Sequence, residues 1–114
     1  MTARIAHTVD WNNVEWLQVR KGMERKTFAG EGATLAYFRI QPEHEVVPHA
    51  HAYEQIVYLL EGAADFHVGD EVHQITSGCL LVVPPNVTHF IQVTSQTPVL
   101  ELDVFTPKRP EYGG

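Results

Sequence analysis

The chain has 114 residues, 44% of them hydrophobic and 19% charged, and a formal net charge of −6. That length suits one domain with one core, not two, and the composition is that of an ordinary globular protein. The acidic balance argues against a nucleic-acid partner, which requires a basic surface, and no apolar run approaches the ~20 residues of a membrane-spanning helix.

The N-terminal stretch MTARIAHTVDWNNVEW has no apolar signal core, so the expected compartment is the cytoplasm. Within it, VDWNNVEWL fits a helical turn or an added edge strand, with Trp11 and Trp16 as packing residues over a barrel end or at a dimer contact. From Ala33 onward, short apolar runs alternate with turn signals. ATLAYFRI ends at Gln41-Pro42, and QIVYLL ends at Glu61-Gly62. AADFHV turns at Gly69-Asp70 into EVHQI, the pattern of a tight hairpin. CLLVV follows Ser77-Gly78, PPN turns the chain into HFIQV, and VLELDVF follows Pro98. At least six strands at this spacing, with no helix between them, predict an all-β antiparallel sandwich or small barrel. The single cysteine, Cys79, excludes an internal disulfide and is expected to be a buried, inert thiol.

Gln55 to Leu60 and Cys79 to Val83 are apolar on both faces, where a free-standing barrel needs a polar outer face. A second sheet, a covering N-terminal segment or a partner subunit would satisfy them, and a homodimer is the expected partner.

The stretch PHAHAYEQ carries the chemistry. Side chains on a strand alternate faces, so His49 and His51 point the same way and Gln55 shares their parity. His89 follows the turn PPNVT at the start of another strand. Imidazole is the commonest protein metal ligand, and an amide oxygen also serves. On spacing alone, a metal site and a set of solvated loop histidines are equal readings. His67 and His73, beside the Gly69-Asp70 turn, read as surface residues, and Glu54, of opposite parity, as outward.

His49-x-His51-x3-Gln55-x6-Gly62 resembles the first cupin motif, with Gln55 where glutamate is usual. Gly78-x5-Pro84-x-Asn86-x2-His89 resembles the second, with Asn86 at a glycine position, a replacement the left-handed backbone tolerates. Glu43 and Val93 depart from the family's glycine and asparagine at positions that hold no ligand. The resemblance implies a small double-stranded β-helix (jelly-roll) barrel as one domain over residues 1–114. Its core would span about 33–106, with segments 1–32 and 107–114 packing outside or frayed. It also implies one divalent transition metal (nickel, zinc, iron, manganese or cobalt) held by His49, His51, Gln55 and His89, with one or two positions left for water or substrate. Neutral ligands would leave such an ion its full charge and strengthen it as a Lewis acid.

In LELDVF, Glu101, Asp103 and Phe105 share one face and Leu100, Leu102 and Val104 the other. Pattern alone puts the leucine face inward and the carboxylates in water. VRKGMERKTFAGEGATLAYFRI, VPHAHAYEQIVYLLEG and LDVFTPKRPEY together resemble the pectin-degradation cupins, the KdgF-type uronate-linearising proteins. That family converts 4,5-unsaturated monouronates from pectin or alginate breakdown into open-chain keto forms. Its functional aspartate, phenylalanine and arginine fall on Asp103, Phe105 and Arg109, with Lys108 where the family commonly has proline. The resemblance implies a uronate as the small-molecule substrate, Asp103 as proton carrier, Arg109 as carboxylate clamp and Phe105 as an apolar wall. A cupin polyketide cyclase, an iron-dependent dioxygenase and a non-catalytic small-molecule-binding cupin are the alternatives.

Overall fold

The computed structural model describes residues 6–112; the first five and last two residues of the expected flanking segments lie outside the described residues. A short 3-10 turn at Trp11–Asn13 precedes β1 (Leu17–Arg20), β2 (Met23–Ala29), β3 (Thr34–Ile40), β4 (Glu54–Glu61) and β5 (Ala63–Val68). Then come β6 (Glu71–Thr76), β7 (Leu80–Val83), β8 (His89–Val93), β9 (Val99–Thr106) and a closing 3-10 turn at Pro110–Tyr112. All pairings are antiparallel. One sheet has six strands in the order β1-β2-β3-β9-β4-β7, and a second has three in the order β6-β5-β8. Phe38, Val57 and Leu59 of the first sheet share one buried core with Phe66, Ile75 and Ile91 of the second. The result is the small all-β jelly roll expected from the strand spacing, and no helix among the described residues is long and apolar enough to cross a membrane.

Strand alternation sorts the six-stranded sheet into two faces. Inward point Thr34, Ala36, Phe38 and Ile40 of β3, Gln55, Val57 and Leu59 of β4, and Val99, Glu101, Asp103 and Phe105 of β9. On β9 the carboxylates therefore face the interior and the leucines lie on the half-buried outer face, the reverse of what hydrophobic patterning alone predicts.

Residues 17–29 extend the same sheet beyond the 33–106 span, through β1 and β2. The N-terminal segment then lies across the outer face of β2 and β3. Trp11 and Trp16 pack on Tyr37 with ring centroids 5.9 and 5.3 Å away. Lys26 Nζ donates to the Trp11 carbonyl at 2.6 Å and sits 4.6 Å from the Trp16 ring. At the other end of the sheet nothing among the described residues covers the outer face. There Ile56 pairs with Val82 and Tyr58 with Leu80, and all four side chains are exposed, Leu80 at 68% and Val82 at 55%. Cys79 is half-buried rather than buried, its sulfur accepting from the Thr76 N–H at 3.4 Å in the β6–β7 turn.

Candidate metal centre

Two backbone devices bring the three histidines together. His49, in the loop before β4, forms an isolated antiparallel bridge with His89 at the start of β8, donating to it at 3.1 Å and accepting at 2.9 Å. The Asn86 N–H donates to the His51 carbonyl at 2.7 Å. Asn86 has a φ of 66°, the left-handed conformation its position in PPNVT requires, and asparagine takes it at low cost. One nitrogen of each of His49, His51 and His89 then falls within 4.8 Å of the others. This group is positioned to bind a metal.

The tautomers are fixed by the same loops. His49 Nδ1 lies 2.8 Å from the Val47 carbonyl, His51 Nδ1 2.9 Å from that of Tyr53, and His89 Nδ1 2.9 Å from that of Val87. A carbonyl only accepts, so each Nδ1 carries the proton and each Nε2 keeps its lone pair. The His89 Nε2 is buried with no partner, and burial pushes its imidazole down to about 4, which keeps it neutral and able to ligate.

Gln55, buried on β4, adds a fourth donor. Its Nε2 donates to Asp103 Oδ2 at 2.8 Å, which fixes the amide so that Oε1 faces His51 Nε2 at 3.1 Å. Two lone pairs meet there. A cation held between them would resolve the conflict. The orphaned His89 Nε2, the opposed lone pairs and the neutral nitrogen and oxygen donor set all fit a divalent transition metal.

Beside the histidines lies a cavity of about 250 Å³, lined among others by His49, Gln55, His89, Asp103, Phe105 and Arg109. Asp103 is 2% exposed and Glu101 3%. Burial first, then the charge of Glu101, push the Asp103 carboxyl well above the ordinary carboxylate range, and burial raises Glu101 as well. Asp103 Oδ1 and Glu101 Oε1 have no hydrogen-bond partner; a proton on either carboxyl group would give both one. Phe105 packs edge-on against His51 at 5.5 Å and lies 4.7 Å from the Arg109 guanidinium carbon, so it serves the core and the cavity wall together. The Arg109 backbone N–H donates to Thr34 Oγ1 at 2.9 Å. Its side-chain Nε lies 3.5 Å from Glu111 Oε2 without forming a hydrogen bond.

A cupin-domain family model matches residues 36–105, from the first inward alanine of β3 to Phe105. The chain is a cupin. No curated protein sequence matches it. Among solved structures, an RmlC-like cupin from Shewanella frigidimarina is 24% identical over 94% of this chain and 96% of that one, with a TM-score of 0.84. KdgF from Halomonas sp. is 25% identical over 88% and 94%, with a TM-score of 0.79. The polyketide cyclase RemF from Streptomyces resistomycificus shares the fold at 19% identity over 93% and 82%, with a TM-score of 0.78.

Glu54 and His73 are exposed, and His73 Nε2 lies 2.9 Å from Glu71. His67 is instead half-buried, stacked on Phe90 at 4.1 Å. His44, without assignment from the sequence, is a buried clasp whose Nε2 accepts from the Val93 N–H at 3.2 Å. Arg20, Arg25, Glu101 and Tyr112 also line this cupin's cavity. Only Glu101 left a signal in the sequence, its shared parity with Asp103. The others come from β1, β2 and the closing turn, which are not legible as parts of the site.

Proposed function

We propose that this cupin is a metal-dependent, non-oxidative enzyme that opens 4,5-unsaturated monouronates from pectin or alginate breakdown to their keto forms. The observation that carries the reading is the Gln55–Asp103 hydrogen bond. It ties a buried acid to an amide that faces the histidines, inside a cavity that also holds a guanidinium. The likeness to KdgF from Halomonas sp. supports it.

The reaction needs a proton carrier, an anion clamp and a stabilised oxygen, and no electron transfer. His49, His51, Gln55 and His89 would hold a divalent metal, which would supply Lewis-acid stabilisation of a substrate oxygen. Asp103 is the acid/base group, its carboxyl kept protonated by burial and by Glu101 until substrate presents a basic atom. Arg109 grips the substrate carboxylate through parallel N–H bonds, and Phe105 excludes water from the ring face. The enzyme is expected to act in the cytoplasm as a homodimer.

The test is loss of the unsaturated monouronate chromophore, measured against the slow spontaneous reaction. Metal-loaded wild type should accelerate it, and His51→Ala should lose both the metal and the acceleration. Metal-loaded protein that leaves the spontaneous rate unchanged would overturn the assignment.

A further inference from the structure

The inward face of β2 brings a second guanidinium to the cavity. Met23 and Arg25 alternate on that face and both line the cavity. In register, Arg25 stands opposite Phe38, which in turn stands opposite Glu101. Between Thr27 and Asp103 in the next row is Ala36, whose small, fully buried side chain leaves room for the arginine to extend across the sheet.

Arg25 reaches the ring of Tyr112, its guanidinium carbon 3.9 Å from the centroid; that of Arg109 lies at the same distance from the same ring. The two guanidinium carbons are thus no more than twice that distance apart. Tyr112 is held in place from β2 itself, its carbonyl accepting from Thr27 Oγ1 at 3.2 Å, and its ring packs edge-on against Phe105 at 5.5 Å.

Arg25 has no ion-pair partner among the described residues. Its neighbour Glu24 points the other way and pairs with Arg39 at 2.7 Å. The carboxylate nearest Arg109 is Glu111, 3.5 Å away, on an exposed tail residue that also accepts from the Tyr53 hydroxyl at 2.7 Å. Two like charges around one aromatic ring gain from the ring's face and repel each other. Half-buried cations in that position favour an anion that both can reach.

We propose that Arg25 shares with Arg109 the binding of the ligand's carboxylate, both guanidiniums being packed on the Tyr112 ring at the cavity wall. The inference rests on the reading of this cavity as a uronate site and adds a specificity-determining residue to it. A neutral sugar of the same shape would leave both cations unpaired, so discrimination between acid and ester comes from the pair. Arg20, whose buried Nε also lacks a partner, lines the cavity too and is the competing candidate.

The experiment is calorimetric titration of zinc-loaded protein with galacturonate and with its methyl ester, ligands that lack the reactive double bond. Wild type should bind the acid more tightly. Arg25→Gln should cut acid affinity about 10- to 100-fold, the range for a lost charge-assisted hydrogen bond, with ester affinity and zinc content unchanged. Arg25→Lys, which keeps the charge and covers the case in which the glutamine variant fails to fold, should recover only part of the preference. Equal binding of acid and ester by wild type overturns the inference. So does a preference that survives in Arg25→Gln, or one lost only in Arg20→Gln. Because the titration involves no turnover, an Arg25-dependent preference in a protein inactive on unsaturated uronates would sink the reaction and leave the carboxylate site standing.

Discussion

Asp103 accepts from the Gln55 amide and so orients it, and the neighbouring Glu101 raises its carboxyl further, so two separate consequences follow from one substitution. Asp103→Asn keeps the shape: the amide oxygen accepts from Gln55 and the amide nitrogen donates to Glu101. The proposed proton carrier is then gone, and turnover should fall about 100- to 10,000-fold with metal retained. Stability should move the other way. The Asp103 carboxyl is raised in the native state by burial and by Glu101, so the folded protein binds more protons than the unfolded chain. Its native form is therefore favoured below the unfolded pKa and loses that advantage as pH rises toward the native value. In metal-free protein, Asp103→Asn should gain melting temperature over wild type progressively as pH rises above the ordinary aspartate value of about 4. About 1 kcal/mol corresponds to roughly 4–8 °C in a domain of this size. Thermal melts across pH check this, and an asparagine variant less stable than wild type at neutral pH would show that Asp103 is ionised and paired instead.

Elements carry the site as much as ligands do. The turn from β1 to β2 passes Gly22 at φ +73°, and a Cβ there would stand 2.7 Å from His44 Cα. Gly22→Ala meets both a left-handed backbone and a backbone clash, and should cost about 2 kcal/mol or more. The measurement is urea denaturation, and a loss below about 0.5 kcal/mol would mean that the turn yields freely. The strands from β3 to β9 were legible because their apolar periodicity is strong and their turns carry Gly, Pro and Asn. The two-histidine spacing and the Asn86 turn were legible for the same local reason. β2 was not, because both of its faces break the pattern: Arg25 turns toward the cavity, and Lys26 on the other side is buried beneath Trp11 and Trp16. β9 was legible as a strand but not in its facing. Leu100, Leu102 and Val104 make the better core face by hydrophobicity, and the chain turns Glu101 and Asp103 inward instead, where each is pushed toward its neutral form. Hydrophobic patterning alone therefore does not decide which face of this strand turns inward.

At the scale of the whole molecule, the six-stranded sheet is covered unevenly. Its β2–β3 end has the N-terminal tryptophans over it, while the β4–β7 end exposes Ile56, Tyr58, Leu80 and Val82 as two adjacent pairs between β4 and the edge strand β7. A contiguous apolar face beside an unpaired strand edge is an association surface, and a two-fold pairing of identical faces is the commonest way to bury one. β4 carries Gln55 on its inward side, in register with Val83 of β7, so a partner packed behind it would brace a candidate ligand of the metal. Wild type should therefore run in light scattering at about twice the 12.9 kDa of the chain. Val82→Glu buries a charge at the centre of the proposed contact and should give a folded monomer that still takes up metal through its histidines. Because the brace behind β4 is then lost, metal release from that monomer should be faster than from wild type. Wild type that remains monomeric at high concentration would leave the apolar face without a second copy, and equal release rates in dimer and monomer would show that the contact does not support Gln55.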